Sequence, residues 1–117
     1  MTPVRLVNLT PHPVRVLDAH DRLLQEFPPT PPPARLTEEH RLEGVVPGTH
    51  LPLLRIGHGR VENLPSPTAG TWYIVSRLVA NACPDRDDLL VPALVVRDAH
   101  GNPTGCRALA RGPSAPP

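Results

Sequence analysis

The order of apolar and polar positions predicts most of the secondary structure. "VRLVNL" (Val4 to Leu9) reads as a strand, and the prolines of "TPHP" turn the chain after it. Val14, Val16 and Leu24 then alternate about Asp18-Ala19-His20-Asp21, a hairpin signature. "TWYIV" (Thr71 to Val75) is a continuous β-branched and aromatic run, expected as a buried strand. At Ser76-Arg77 it hands over to a short helix in which Leu78, Val79 and Ala82 are spaced to face the core, and Pro84 ends it. "LPLLRIGHGRVENL" predicts a second hairpin turning at Gly57-His58-Gly59, and "LLVPALVVRDAHGNPTGCRALA" a third turning at Asp98 to Asn102.

The remaining segments carry weaker patterns. In "LTEEHRLEG" only Leu36 and Leu42 are apolar, which fits either a short helix, capped by Thr37 and stopped by Gly44, or an edge strand. "PPTPPP" at Pro28 to Pro33 reads as a polyproline II rim loop, and "PSPTAG" from Pro65 as a plain loop. Val16-Leu17-Asp18-Ala19-His20 is echoed by Val96-Arg97-Asp98-Ala99-His100, as expected where aspartate opens two similar turns. Together these elements predict an α+β fold: a mixed, twisted sheet of hairpins with one short helix after the strand at 71–75. Residues 1–112 form one compact domain in this reading, and 113–117 a disordered tail.

Composition narrows this picture. The 18 prolines exclude long helices, and with aromatics at 3% the core must be built from Leu, Val and Ile. Such a core is thin and leaves room for completion by oligomerisation, so a homo-oligomer is among the expected partners. Net charge is +1 with acids and arginines interspersed, which gives no generic nucleic-acid footprint. Cys83 and Cys106 lack metal or redox spacing and are expected to be reduced and buried. No apolar run has the length of a signal peptide or a membrane span, so a cytoplasmic location without membrane contact is expected.

Three constellations carry candidate chemistry. Ser76 and Arg77, at the carboxyl end of a strand and the start of a helix, offer a hydroxyl, unpaired amides and a guanidinium to an anion, or simply cap the helix. In "DRDD", Arg86 with Asp87 and Asp88 is suited to sugar hydroxyls, or Arg86 pairs with a neighbouring aspartate. Asn8, Thr10 and His12 cluster where the first strand turns and form either a further wall of a site or a turn brace. No histidine spacing fits a metal, no glycine loop cradles a phosphate, and the Gly-x-Ser-x-Gly elbow is absent; neither metal nor cofactor is expected.

With "NLTPH", "YIVSRLVA", "RDDLLVP" and "DAHGNPTGCRAL" in place, the chain resembles a family of small proteins found in phages and prophages. The resemblance runs over most of residues 6–110 and is densest from Tyr73 to Cys106. It implies a viral or mobile-element context and transfers no catalytic residue. The leading expectation is a non-enzymatic binder of a small phosphorylated or nucleotide-like ligand, such as a sequestered host immune signal. A protein-interaction module using the polyproline rim, and a nucleotide phosphodiesterase with His12 as acid or base, are the alternatives.

Overall fold

A computed structural model describes residues 3–112 and shows a mainly β protein with a mixed sheet and one short helix. The strands are β1 (Arg5–Asn8), β2 (Val14–Leu17), β3 (Leu23–Phe27), β4 (Arg35–Val45), β5 (Pro52–Glu62), β6 (Thr71–Ile74), β7 (Leu89–Arg97) and β8 (Pro103–Arg111), with α1 (Arg77–Ala82) between β6 and β7. Six of them form one sheet in the order β1-β6-β7-β8-β2-β3, and β4 with β5 forms a separate two-stranded ribbon. The predicted tail at 113–117 lies outside the described residues.

The six-stranded sheet closes on itself. After β3 the chain runs beside β1, where Pro29 bridges Asn8, the Thr30 amide donates to Asn8 O at 2.8 Å and the Ala34 amide donates to Leu9 O at 2.9 Å. The strand directions allow it, since β1, β6 and β7 run parallel, β8 and β2 run opposite to them, and β3 turns back. The segment read as a polyproline rim therefore serves as the closing seam of a barrel. The seam covers the carboxyl end of the β1 edge at Asn8 and Leu9, while β3 itself pairs with β2 alone.

Period-two alternation divides the apolar side chains of this sheet into two cores. Leu6, Ile74, Leu90 and Leu109 point inward with Val14, Phe27 and Cys106 and fill the barrel. Their neighbours Val7, Tyr73, Val75, Leu89, Val91 and Ala110 point outward and are covered by α1, Ala34 and Leu64. Strands buried on both faces read as unbroken apolar runs, which is why "WYIV" and "LLV" look as they do. In α1 the buried residues are Val79 and Ala80; Leu78 is 60% exposed and Ala82 is also exposed, against the expectation that both face the core. A helix this short covers the sheet with barely one turn, and Val79, Ala80 and half-buried Cys83 fill that arc. Both cysteines are free; Cys106 is buried, whereas Cys83 is only partly so.

The echoed hairpins share one turn. Asp18 Oδ1 accepts from the amides of His20 and Arg22, and Asp98 Oδ1 accepts in the same way from His100 and Asn102. Each turn places its fourth residue at positive φ, 63° for Asp21 and 82° for Gly101. The two backbone amides hold the Asp18 carboxyl below its ordinary pKa.

The ribbon corrects the sequence reading most. Of the two readings open for residues 36–44 the strand is the one that forms, since they lie within β4 and Gly44 is inside it rather than a helix stop. The expected hairpin at Gly57-His58-Gly59 does not exist: Glu39 pairs with Gly57 and Glu38 with His58 in mid-ribbon. The chain turns instead at Val46 to Leu51, where Gly48 has φ 80° and Thr49 Oγ1 donates to Val46 O at 2.7 Å and accepts from the Leu51 amide at 3.1 Å. Pro47-Gly48 is the stronger turn signal, since proline presets the first φ and glycine takes the positive one, whereas glycines 57 and 59 have ordinary φ.

Candidate functional site

The register of β1, β6 and β7 decides which predicted site residues meet. Asn8 pairs with Ile74, and the Leu9 amide donates to Ile74 O, so Asn8 and Thr10 lie at the same end of the sheet as Ser76 and Arg77. Leu89 pairs with Tyr73, which sets Asp88 level with the start of β6. Asp88 therefore lies four residues, roughly 13 Å, along the strands from Ser76, at about 3.3 Å per residue. Parallel strands joined through a helix demand this, because α1 carries the chain back before β7 begins.

At the first end the polar groups are largely committed. Asn8 is 1% exposed, and its Nδ2 donates to His12 O at 2.8 Å and Phe27 O at 2.9 Å. Its Oδ1 accepts from the Thr10 amide at 2.9 Å and the Thr10 hydroxyl at 2.7 Å. Two donors and two acceptor sites are the whole capacity of an asparagine, so Asn8 braces the turn. Ser76 caps α1, accepting from the Val79 amide at 3.3 Å, and Arg77 is exposed. The His12 ring is exposed while its carbonyl accepts from Asn8 Nδ2, and the single Thr10 hydroxyl proton is shared between Asn8 Oδ1 and that carbonyl.

At the other end Arg86 grips Asp88 with two parallel bonds, Nε to Oδ1 at 2.8 Å and Nη2 to Oδ2 at 2.7 Å, and its Nη2 also donates to Pro65 O at 3.0 Å. Hydrogen bonding to Arg86 holds the Asp88 carboxyl below its ordinary pKa, and the same contact pushes Arg86 up. Because the folded state depresses Asp88, the pair stabilises the fold above the unfolded carboxyl pKa, and that contribution disappears as pH falls below about 4. Asp88→Asn is expected to cost about 1–2 kcal/mol at pH 7, since the amide keeps one acceptor oxygen but loses the charge and one of the two parallel bonds to the partly buried guanidinium. Calorimetry from pH 7 to pH 3 checks this: the melting temperature of the variant falls less steeply on the acid side than that of the wild type, and parallel curves would refute the linkage.

The clefts among the described residues include two on the barrel. The larger, about 660 Å³, is lined by Pro13, Val14, Pro92, Val95 and Pro103, with His12, Arg15 and Thr104 among its polar groups. The smaller, about 380 Å³, is lined by residues 67–72 with Asp87, Asp88 and Arg111, whose guanidinium stands 5.3 Å over the Trp72 ring. Of the predicted residues, His12 lines the first and Asp87 and Asp88 the second; Ser76 and Arg77 line neither. Arg15 was missed by the sequence reading, although its place between inward-facing Val14 and Val16 marks it as an outward side chain. Trp72 was legible as the one tryptophan of the chain. Among the described residues no group of three or more His, Cys, Asp or Glu side chains is arranged to hold a metal, and no helix is long and apolar enough to cross a membrane. Comparison with protein-family models, curated proteins and solved structures finds no match.

Proposed function

We propose that the protein is a non-enzymatic binder of a small, anionic, nucleotide-like molecule, held in the cleft between β2, β7 and β8. The observation that carries this reading is the cleft itself: about 660 Å³, with an apolar lining of prolines and valines and two basic side chains, His12 and Arg15. That volume suits a small ligand, and a mostly apolar wall with a few polar groups is the usual composition of such a site. A base or sugar ring would lie on Pro92, Val95 and Pro103. The phosphate would meet Arg15, which uses Nε on Glu26 at 2.7 Å and has four further N–H donors. Ser76 and Arg77 drop out of the leading role, because the hydroxyl already serves as a helix cap. The resemblance to phage proteins makes a sequestered host signalling nucleotide the proposed ligand class. A protein contact through the polyproline segment has less support, since that segment closes the barrel.

Thermal-shift and calorimetric titrations with a panel of mono-, di- and cyclic nucleotides test the reading. A binding nucleotide raises the melting temperature. Arg15→Ala then weakens it by about 1.5–3 kcal/mol, roughly 10- to 150-fold, with little change in unliganded stability because the Glu26 pair is exposed. Mass spectrometry of the ligand after heat release must return it intact; a cleaved product would favour the phosphodiesterase with His12. Equal binding by wild type and Arg15→Ala would remove this cleft as the site.

A further inference from the structure

The β4–β5 ribbon leaves the body of the protein with one apolar face uncovered. Cross-strand partners share a face, so the register puts Leu42 with Leu54, His40 with Ile56 and Val45 with Pro52 on one side. The other side carries Glu39, Arg41, Glu43 and Arg55, the last two joined as an ion pair. This is the pattern of a sheet with a wet face and a core face. The core face has no core: Leu42 is 66% exposed, Ile56 63% and Leu54 50%. The ribbon gives the molecule an extent of 60 Å and a radius of gyration of 17.9 Å, against roughly 13 Å for a compact chain of this length. An isolated two-stranded ribbon is at best marginally stable in water.

We infer that this face is covered by the same face of a second copy, the two ribbons packing across a two-fold axis. Leu42, Val45, Leu54 and Ile56, each half or more exposed, together present on the order of 400 Å², within the range of the largest patch on a monomer. His40, His58 and Pro52 widen the same face toward the roughly 800 Å² per partner of a stable interface. The charge on the face also favours self-pairing. Its one acid, Glu38, lies 3.2 Å from His40 Nε2, so two copies meet without a block of like charge and without a charged feature for a foreign partner to complement. An isologous contact needs only that the stripe centred on Leu54 meet itself.

Sedimentation velocity of the full chain at micromolar concentration is expected to give a dimer of the 12.7 kDa subunit. The double substitution Leu54→Asp with Ile56→Asp is expected to give a monomer whose Trp72 emission is unchanged, because Trp72 lies in the barrel. Arg41→Asp, on the wet face, stays dimeric. Should the double variant not fold, Leu54→Gln must raise the dimer dissociation constant at least about tenfold. A wild type that is monomeric throughout, a double variant that remains dimeric, or a monomer that instead captures a foreign protein stoichiometrically on this face overturns the inference.

Discussion

Asn8→Asp is expected to cost about 4–5 kcal/mol, close to the whole stability of a marginal domain of this size. The substitution preserves shape and removes both N–H donors, leaving Phe27 O without the bond it accepts at 2.9 Å and His12 O with the Thr10 hydroxyl as its one side-chain donor. It also places a carboxylate against those two carbonyl oxygens in a site 1% exposed. Each orphaned buried group costs roughly 1–3 kcal/mol, and an unpaired buried charge costs more. Asn8→Ala avoids the charge and should cost about 3 kcal/mol, while Thr10→Val loses one hydroxyl bond and should cost about 1 kcal/mol. Urea denaturation at pH 7 ranks the three. The introduced carboxyl must have a raised pKa in the fold, so part of the Asn8→Asp loss is recovered as pH falls through that value and a donor returns. Asn8→Asp stability within 1 kcal/mol of wild type at pH 7 would mean that the brace does not hold the barrel seam.

The features legible in the sequence are those set by a few neighbouring residues. Aspartate at 18 and 98 makes the two turns through its own carboxylate, Ser76 caps α1 through its hydroxyl, and both act within four residues of themselves. The ribbon was obscured because its signals oppose one another. Apolar alternation normally marks a buried face, yet Leu42, Leu54 and Ile56 alternate on an exposed one, and Gly57-His58-Gly59 imitates a turn where the chain runs straight. Barrel closure depends on Pro29 finding Asn8, a contact that proline composition argues against, because Pro29 has no amide to give. It forms because the adjacent Thr30 amide donates instead. The candidate site was half legible. Asn8, Thr10, Arg86 and Asp88 were singled out as polar clusters, and they do cluster, each satisfying its neighbours. The cleft walls come from β2, β7 and β8, which only the folded register brings side by side.

That register has one tight point, and Gly105→Val is expected to break it at a cost of about 3 kcal/mol or more. β2 and β8 are joined by a single register pair, Val16 with Cys106, assisted by the Cys106 thiol donating to Arg15 O at 3.5 Å. A Cβ on Gly105 would stand 2.9 Å from Arg15 O and from two carbons of the Leu17 side chain. The leucine can rotate, but the carbonyl belongs to the backbone of β2, so β8 must move away and the pairing is lost. Gly105→Ala already makes this clash and should lower the melting temperature by roughly 8–15 °C, if a cost near 2 kcal/mol is taken at 4–8 °C per kcal/mol. Gly57→Ala is the matched control, because a Cβ there meets nothing within 4 Å and φ is ordinary. Amide exchange then separates local from global damage: Val16 and Cys106 lose protection first, while Tyr73 and Ile74, across the barrel, follow only with global unfolding. If Gly105→Ala and Gly57→Ala melt together, β8 does not approach β2 closely, and the cleft between them loses its rigid wall.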